Sequence, residues 1–308
     1  MTPRILITGS CGLVGTGLTP VLEQLGAELR YLDIVAHGDA AGDVKDASRV
    51  CAAVEGCDGV IHLAAVSRVI WGEQQPELCW ATNVGGLRNV LASAAASSRK
   101  PWVIFASSRE VYGQPAHLPA DESCPLSPVN IYGRSKIEGE ALIEAARHDG
   151  VRACTIRLSN VFGSTQDHTD RVVPAFARTA ALGGELRVDG ASHTFDFTHI
   201  DDVAAGIAAL VSLLTEGGAP PPPIHFVSGV PTTLQQLAEL AIRLASSTSV
   251  IRHAPPRSFD VAQFVGSPER AKRLLGWTPT LSLETGLQRL INDFRSELGV
   301  SPLQEAES

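Results

Sequence analysis

The segment Thr8-Gly9-Ser10-Cys11-Gly12-Leu13-Val14-Gly15 constrains this chain more than any other. It follows a short aliphatic run at 4–7 and opens a Leu-rich stretch with helical spacing at 13–25. Glycines three apart let a chain leave a strand, turn tightly and bring bare backbone against a pyrophosphate. A helix starting at Leu13 and Val14 then offers its free N–H groups and positive dipole end to that anion. Context strengthens the motif: Asp33 ends the next aliphatic run, 18 residues after Gly15. A carboxylate there accepts hydrogen bonds from a ribose diol and repels a 2′-phosphate, which predicts NAD rather than NADP.

The rest of the first half repeats the strand–helix alternation. Runs at 27–32, 59–63 and 102–105 are brief, aliphatic on both faces and bounded by Gly, Asp or Ser, as buried strands are. Helical spacing marks 47–54, 83–96 and 131–148, and a further strand is predicted at 151–158. The fold class expected is α/β, a doubly wound parallel sheet of Rossmann type with a smaller, discontinuous C-terminal substrate domain. Residues 1–163 and 196–228 are assigned to the NAD-binding part, 164–195 and 229–302 to the substrate part, and 303–308 to a frayed tail. The strand end and helix at 199–214 are assigned to the first sheet. Pro220 to Pro223 reads as a stiff surface connector. After a presumed third strand, Asp43 and Val44 are placed to hold an adenine. His62-Leu63-Ala64-Ala65 lines the cofactor cleft with small side chains, His62 itself being packed and hydrogen-bonded.

Composition excludes several functions. The 308 residues carry a net charge of −8 without a long basic run, so the footprint of a nucleic-acid or membrane-surface binder is missing. Six cysteines show neither C-x-x-C pairs nor metal-ligand spacing, as expected of reduced thiols. The N-terminus turns glycine-rich after three aliphatic residues, and no run approaches a membrane span, which points to the cytoplasm.

The chemistry is carried by Tyr132-Gly133-Arg134-Ser135-Lys136. Positions i and i+4 of a helix share a face, so the phenol and the ammonium can reach one cleft. A Lys⁺ near the phenol is expected to lower the Tyr pKa toward the range of a general base. Ser107-Ser108 closes the strand at 102–105, and the carboxyl ends of strands are where doubly wound sheets place their sites.

With these residues in view the chain resembles the extended short-chain dehydrogenase/reductase family, the NAD-dependent nucleotide-sugar epimerases and dehydratases. The resemblance rests on the glycine motif, His62-Leu63-Ala64-Ala65, Asn83-Val84-x-Gly86, Ser107-Ser108-x-x-Val111-Tyr112-Gly113 and Tyr132-x-x-x-Lys136. It continues through Arg157-Leu158-x-Asn160-Val161-x-Gly163, Asp196-Phe197-x-His199-x-Asp201-Asp202-Val203 and Leu275-Gly276-Trp277-x-Pro279. It implies that Tyr132 is the base, that Lys136 binds the nicotinamide ribose and tunes Tyr132, and that Ser108 polarises the reacting oxygen. Asn83 joins the cofactor contacts. Asn160, Arg171 and Arg257 are implied on the substrate side, with a nucleotide-diphosphate sugar as the ligand. Homodimerisation through 83–98 and 131–148 is implied as well, as is a coenzyme kept through turnover.

Two departures from the family pattern bear on the outcome. Many relatives carry Arg where this chain has Phe195, so Arg257 does more, Arg187, Arg178 or His193 substitutes, or the substrate tail is unusual. Glu110 stands where plain 4-epimerases have small or neutral residues, and a carboxylate there can abstract a C5 proton. Alternatively it pairs with Arg109 and shapes the loop. Arg109 could read an anionic group on the sugar, and Arg68 is a further candidate contact. The leading expectation is a 4-epimerase acting by transient oxidation at C4. The alternative is a dehydratase or C5-active enzyme using Glu110, and after it a simple reductase or a non-catalytic NAD sensor.

Overall fold

The computed structural model describes residues 2–257 and 260–300; the expected frayed tail at 303–308 lies outside them. The first half runs β1 (Arg4–Thr8), α1 (Leu13–Gln24), β2 (Glu28–Leu32), α2 (Ala47–Val54), β3 (Gly59–His62), α3 (Val69–Gln74), α4 (Pro76–Trp80), α5 (Gly86–Ala96), β4 (Trp102–Ser108), α6 (Ile131–His148) and β5 (Ala153–Leu158). Then follow β6 (Asn160–Phe162), α7 (Val172–Leu182), β7 (Glu185–Asp189), β8 (Thr194–His199), α8 (Ile200–Thr215) and β9 (Ile224–Phe226). The chain ends with β10 (Pro231–Thr233), α9 (Leu234–Leu244), β11 (Val250–Ala254), α10 (Glu269–Leu275) and α11 (Leu283–Glu297).

Six strands form one parallel sheet in the order β2-β1-β3-β4-β5-β9. Alternate residues feed opposite cores, which is why the strands are aliphatic on both faces. Ile5, Ile7, Ile61 and Ile104 pack under α1 and α8, whereas Leu6, Val60, Val103 and Phe105 pack under α2, α5 and α6. Each such side chain stabilises by about 1.5–3 kcal/mol when fully buried. The chain winds one way from β1 to β2 and the other way from β3 onward. Thr8 and His62 therefore end neighbouring strands at the switch point where such folds open a crevice, and Ser108 ends β4 one strand further on.

Two expectations about the sheet are corrected. The third strand presumed before Asp43 is a single bridge between Asp33 and Ala41, because the intervening Gly38–Ala40 forms a 3-10 turn. The strand before α8 does not join the main sheet: β8 lies between β10 and β6 in a small second sheet, although α8 does cover the first. A second core unites Phe162 with α7, β7, β8, α9 and α11, while Ala271 and Trp277 pack into the first. Buried Asp196 ties these parts together by accepting from Ser228 and the N–H groups of Gly229 and Gly266. Asp202 does the same for Thr280 and Leu281. Among the described residues no helix is long and apolar enough to cross a membrane.

Candidate active site

A cleft of ≈ 440 Å³ opens along the C-terminal edge of the sheet and reaches into the second core region. Its first wall is the glycine turn. Gly9 has φ +71°, and a Cβ there would meet Ala64 N at 2.6 Å, so both conformation and space require glycine. A Cβ on Gly15 would meet Ser10 O at 2.6 Å, which presses α1 onto the turn. At Gly12 the nearest atom would be Gly9 O at 3.4 Å, leaving the space over the helix start clear. Gly12 caps α1 without a side chain, so Leu13, Val14 and Gly15 line the cleft with the helix start. This bare cradle fits a dinucleotide pyrophosphate.

Asp33 is buried at the end of β2, where its carboxylate accepts from Cys11 N at 2.9 Å and Val35 N at 3.0 Å. It thereby fixes the turn, and each oxygen keeps a further acceptor site for a diol. Leu63 and Ala65 line the cleft; Ala64 backs Gly9. His62 bonds Thr8 Oγ1 through Nδ1 at 2.8 Å, and burial and then the Lys136 charge push it down to about 3, so it is neutral. Five expected cofactor contacts are not among the residues that line the enclosed cleft: Asp33 and Ala64, which sit behind the turn, and Asp43, Val44 and Asn83. Asp43 is engaged with Lys45. Val44 is core, packed on Gly86. Asn83 is buried and accepts from Val66 N at 2.8 Å while donating to Ser135 Oγ at 2.9 Å, so it braces the loop behind the wall.

Ser108, Tyr132 and Lys136 converge at the middle of the cleft. β4 delivers Ser108, and the first turn of α6 delivers Tyr132, which faces Ser108. Lys136 Nζ donates to Ala106 O at 2.8 Å and lies 5.6 Å from the Tyr132 ring centre. The expected lowering of the Tyr132 pKa is not what this geometry gives. Burial pushes the phenol up to about 12, against the Ser108 hydroxyl and the Arg171 charge, and Glu110 adds to the rise. The ammonium that was to lower it is itself buried and pushed down to about 8. Desolvation outweighs the pair attraction.

The far wall holds the cations. Arg109 stacks on the Phe195 ring at 4.5 Å and faces Glu110 at 3.0 Å; its Nη1 is buried without a partner among the described residues. The cleft is thus positive close to the ring that Phe195 puts in place of an arginine. Arg68 pairs with Asp170 and Arg171 with Ser67 and Asp167, which straps two loops across the mouth. Arg187 is held by Asp189 and Arg257 by Asp260, both more exposed, with His193 edge-on to Phe195. Asn160 lines the cleft and donates to Asp196 O at 3.3 Å. Arg178 is on the exposed face of α7. The lining carries six cations, Arg68, Arg109, Lys136, Arg171, Arg187 and Arg257, against four carboxylates, Glu110, Asp170, Asp189 and Asp260, in a chain of net charge −8.

Two features escaped the sequence reading. Asn130 starts α6 by accepting from Gly133 N at 2.8 Å and donates to Glu110 at 2.7 Å. An Asn before a helix is a capping signal, so the first role was readable. Behind the site, Ser107 donates to Glu140, which grips Arg157 at 2.6 and 2.9 Å; Arg157 in turn reaches Tyr112, and Tyr112 bonds His225 at 2.6 Å. Nothing local marks that network.

Fold and cleft together define an NAD-dependent enzyme of the extended short-chain dehydrogenase/reductase class. The chain belongs to the NAD dependent epimerase/dehydratase family, whose model matches residues 5–226. It is 26% identical over 324 residues to UDP-glucose 4-epimerase of Corynebacterium glutamicum, covering 96% of this chain and 97% of that protein. It is 31% identical over 313 residues to UDP-glucuronic acid decarboxylase 1 of Danio rerio, covering 96% and 73%. Among solved structures, UDP-glucose 4-epimerase of Thermotoga maritima with UDP-glucose superposes with a TM-score of 0.88 at 26% identity, covering 96% and 99%.

Proposed function

We propose that this chain is a 4-epimerase of a nucleotide-diphosphate sugar. The observation that carries the reading is the meeting of Ser108, Tyr132 and Lys136 between a bare pyrophosphate cradle and a positive far wall. Bound NAD supplies a reversible hydride acceptor and, when oxidised, a positive charge. Tyr132 takes the proton from the C4 hydroxyl and later returns it, with Ser108 holding the same oxygen. Lys136, pinned by Ala106 O, keeps an ammonium beside the ring, and its buried position suits a contact with ribose hydroxyls. The 4-keto sugar turns over in the cleft and is reduced on its other face. Gly9, Gly12, Leu13, Val14, Gly15, Asp33, Leu63, Ala64 and Ala65 form the cofactor side of this proposal, with residues 164–195 and 229–302 gripping the substrate. The surplus of cations suits a diphosphate, with Arg187, Arg257 and His193 at the outer end and Arg109, Asn160 and Arg171 nearer the sugar. Pairing of two copies through 83–98 and 131–148 belongs to the same reading.

Glu110 favours this outcome over C5 chemistry, because its carboxylate is turned to Arg109 on its own turn and to Asn130 at the start of α6. The test is to incubate the purified protein with nucleotide-diphosphate sugars and follow the products by NMR. A C4 epimer formed without consumption of added NADH is expected; steady NADH consumption with a reduced product would contradict the reading.

A further inference from the structure

Glu110 sits on the 3-10 turn directly after β4, two residues beyond Ser108. Its carboxylate is buried between two partners: Oε1 faces Arg109 Nη2 at 3.0 Å, and Oε2 accepts from Asn130 Nδ2 at 2.7 Å. Asn130 is the residue on which α6 begins, and its Oδ1 accepts from Gly133 N, one residue past Tyr132. These two bonds fix the amide orientation, since only its oxygen can accept and only its NH₂ can donate. A second contact presses the same segments together: a Cβ on Gly133 would meet Glu110 O at 2.6 Å. The turn that follows Ser108 and the helix that carries Tyr132 are thus joined by the Glu110–Asn130 bond and by the close packing of Gly133 on Glu110 O.

We propose that Glu110 is a positioning residue for Tyr132, acting through Asn130, and not a base that removes a second proton from the sugar. The proposal rests on the 4-epimerase reading above. The two Glu110 oxygens are turned to Arg109 Nη2 and Asn130 Nδ2, so the carboxylate is committed to the loop and the helix start. It retains hold of the helix start, and a misplacement of about 1 Å at a reacting group costs on the order of 10²-fold in rate. Its charge also acts on the phenol, which faces Ser108, Arg171, Cys79 and Lys136 besides Glu110. A negative neighbour holds the phenolate back, so removing that charge moves Tyr132 downward.

The experiment measures kcat, KM and the pH profile for Glu110→Ala, Glu110→Gln and Asn130→Ser. Glu110→Ala is expected to lose about 30-fold in kcat with KM held within about 3-fold. Glu110→Gln still offers Asn130 an acceptor, so it recovers at least about 5-fold of that loss and moves the rising limb of the kcat profile to lower pH. Asn130→Ser keeps a cap for α6 but loses its reach to Glu110, and its kcat falls as in Glu110→Ala. Retained NAD and an unchanged circular dichroism spectrum verify folding; if Glu110→Ala does not fold, the other two variants carry the test. Glu110→Gln as impaired as Glu110→Ala, or Asn130→Ser as active as wild type, overturns the proposal and leaves the epimerase reading standing. Solvent deuterium at C5 of the wild-type product overturns that reading itself.

Discussion

The two ends of the cleft are built from different materials. The cofactor end is backbone: Gly9, Gly12 and Gly15 hold a turn against a helix start, and Asp33 locks it by accepting from Cys11 N. The end proposed for the substrate is side chain: Arg68, Arg109, Arg171, Arg187 and Arg257 each lie against a carboxylate, four of them against one within four residues in the sequence. Bare backbone of this kind suits a pyrophosphate and depends little on which side chains surround it. Paired guanidinium groups can be re-aimed by exchanging a few residues, so this end can change its substrate while the other keeps its cofactor.

Tyr132→Phe gives the largest expected effect, because it removes the proton carrier on which both ends converge. Turnover should fall by about 10²–10⁴-fold while NAD stays bound through desalting. Loss of NAD together with activity would show that Tyr132 serves the cradle and not the chemistry. Next comes a pair of glycine variants. Gly9→Ala places a Cβ into Ala64 at positive φ and should destabilise the fold by on the order of 2–4 kcal/mol in thermal or denaturant unfolding. Gly12→Ala makes only an ordinary contact with Gly9 O and should leave stability within about 0.5 kcal/mol while NAD affinity drops about 10-fold or more. Equal stability losses in both would break the distinction between a turn that needs glycine and a surface that must stay bare. Arg187→Ala should do least: its ion pair with Asp189 is 70% exposed on the arginine side, so unfolding is unmoved while KM rises about 3–10-fold. An unchanged KM would remove Arg187 from the substrate wall.

The same contrast explains what the sequence disclosed. The turn, α1, β3, β4 and α6 are written locally, in glycine spacing and in aliphatic runs buried on both faces. The strand presumed before Asp43 does not form, because Gly38–Ala40 curls into a 3-10 turn that tertiary context decides. At the site, Ser108, Tyr132 and Lys136 were legible as a pattern, but the phenol's pKa was not. Spacing reports that Lys136 is near; it does not report that both groups are buried or that the ammonium is turned to Ala106 O. Arg109 on Phe195 joins residues 86 positions apart in the sequence, and Glu140 with Arg157 looks like an ordinary helix acid and strand base until the fold buries them. Long-range side-chain pairing leaves no period and no spacing to read.

The central claim is that the chain oxidises and restores one sugar carbon without touching its neighbour. Turnover of a nucleotide-diphosphate sugar in deuterated water, read by proton NMR and mass spectrometry, tests this most directly. A product inverted at C4 with no solvent deuterium on carbon is expected, since hydride leaves and returns internally and Glu110 abstracts nothing. Deuterium at C5 of the product would contradict it.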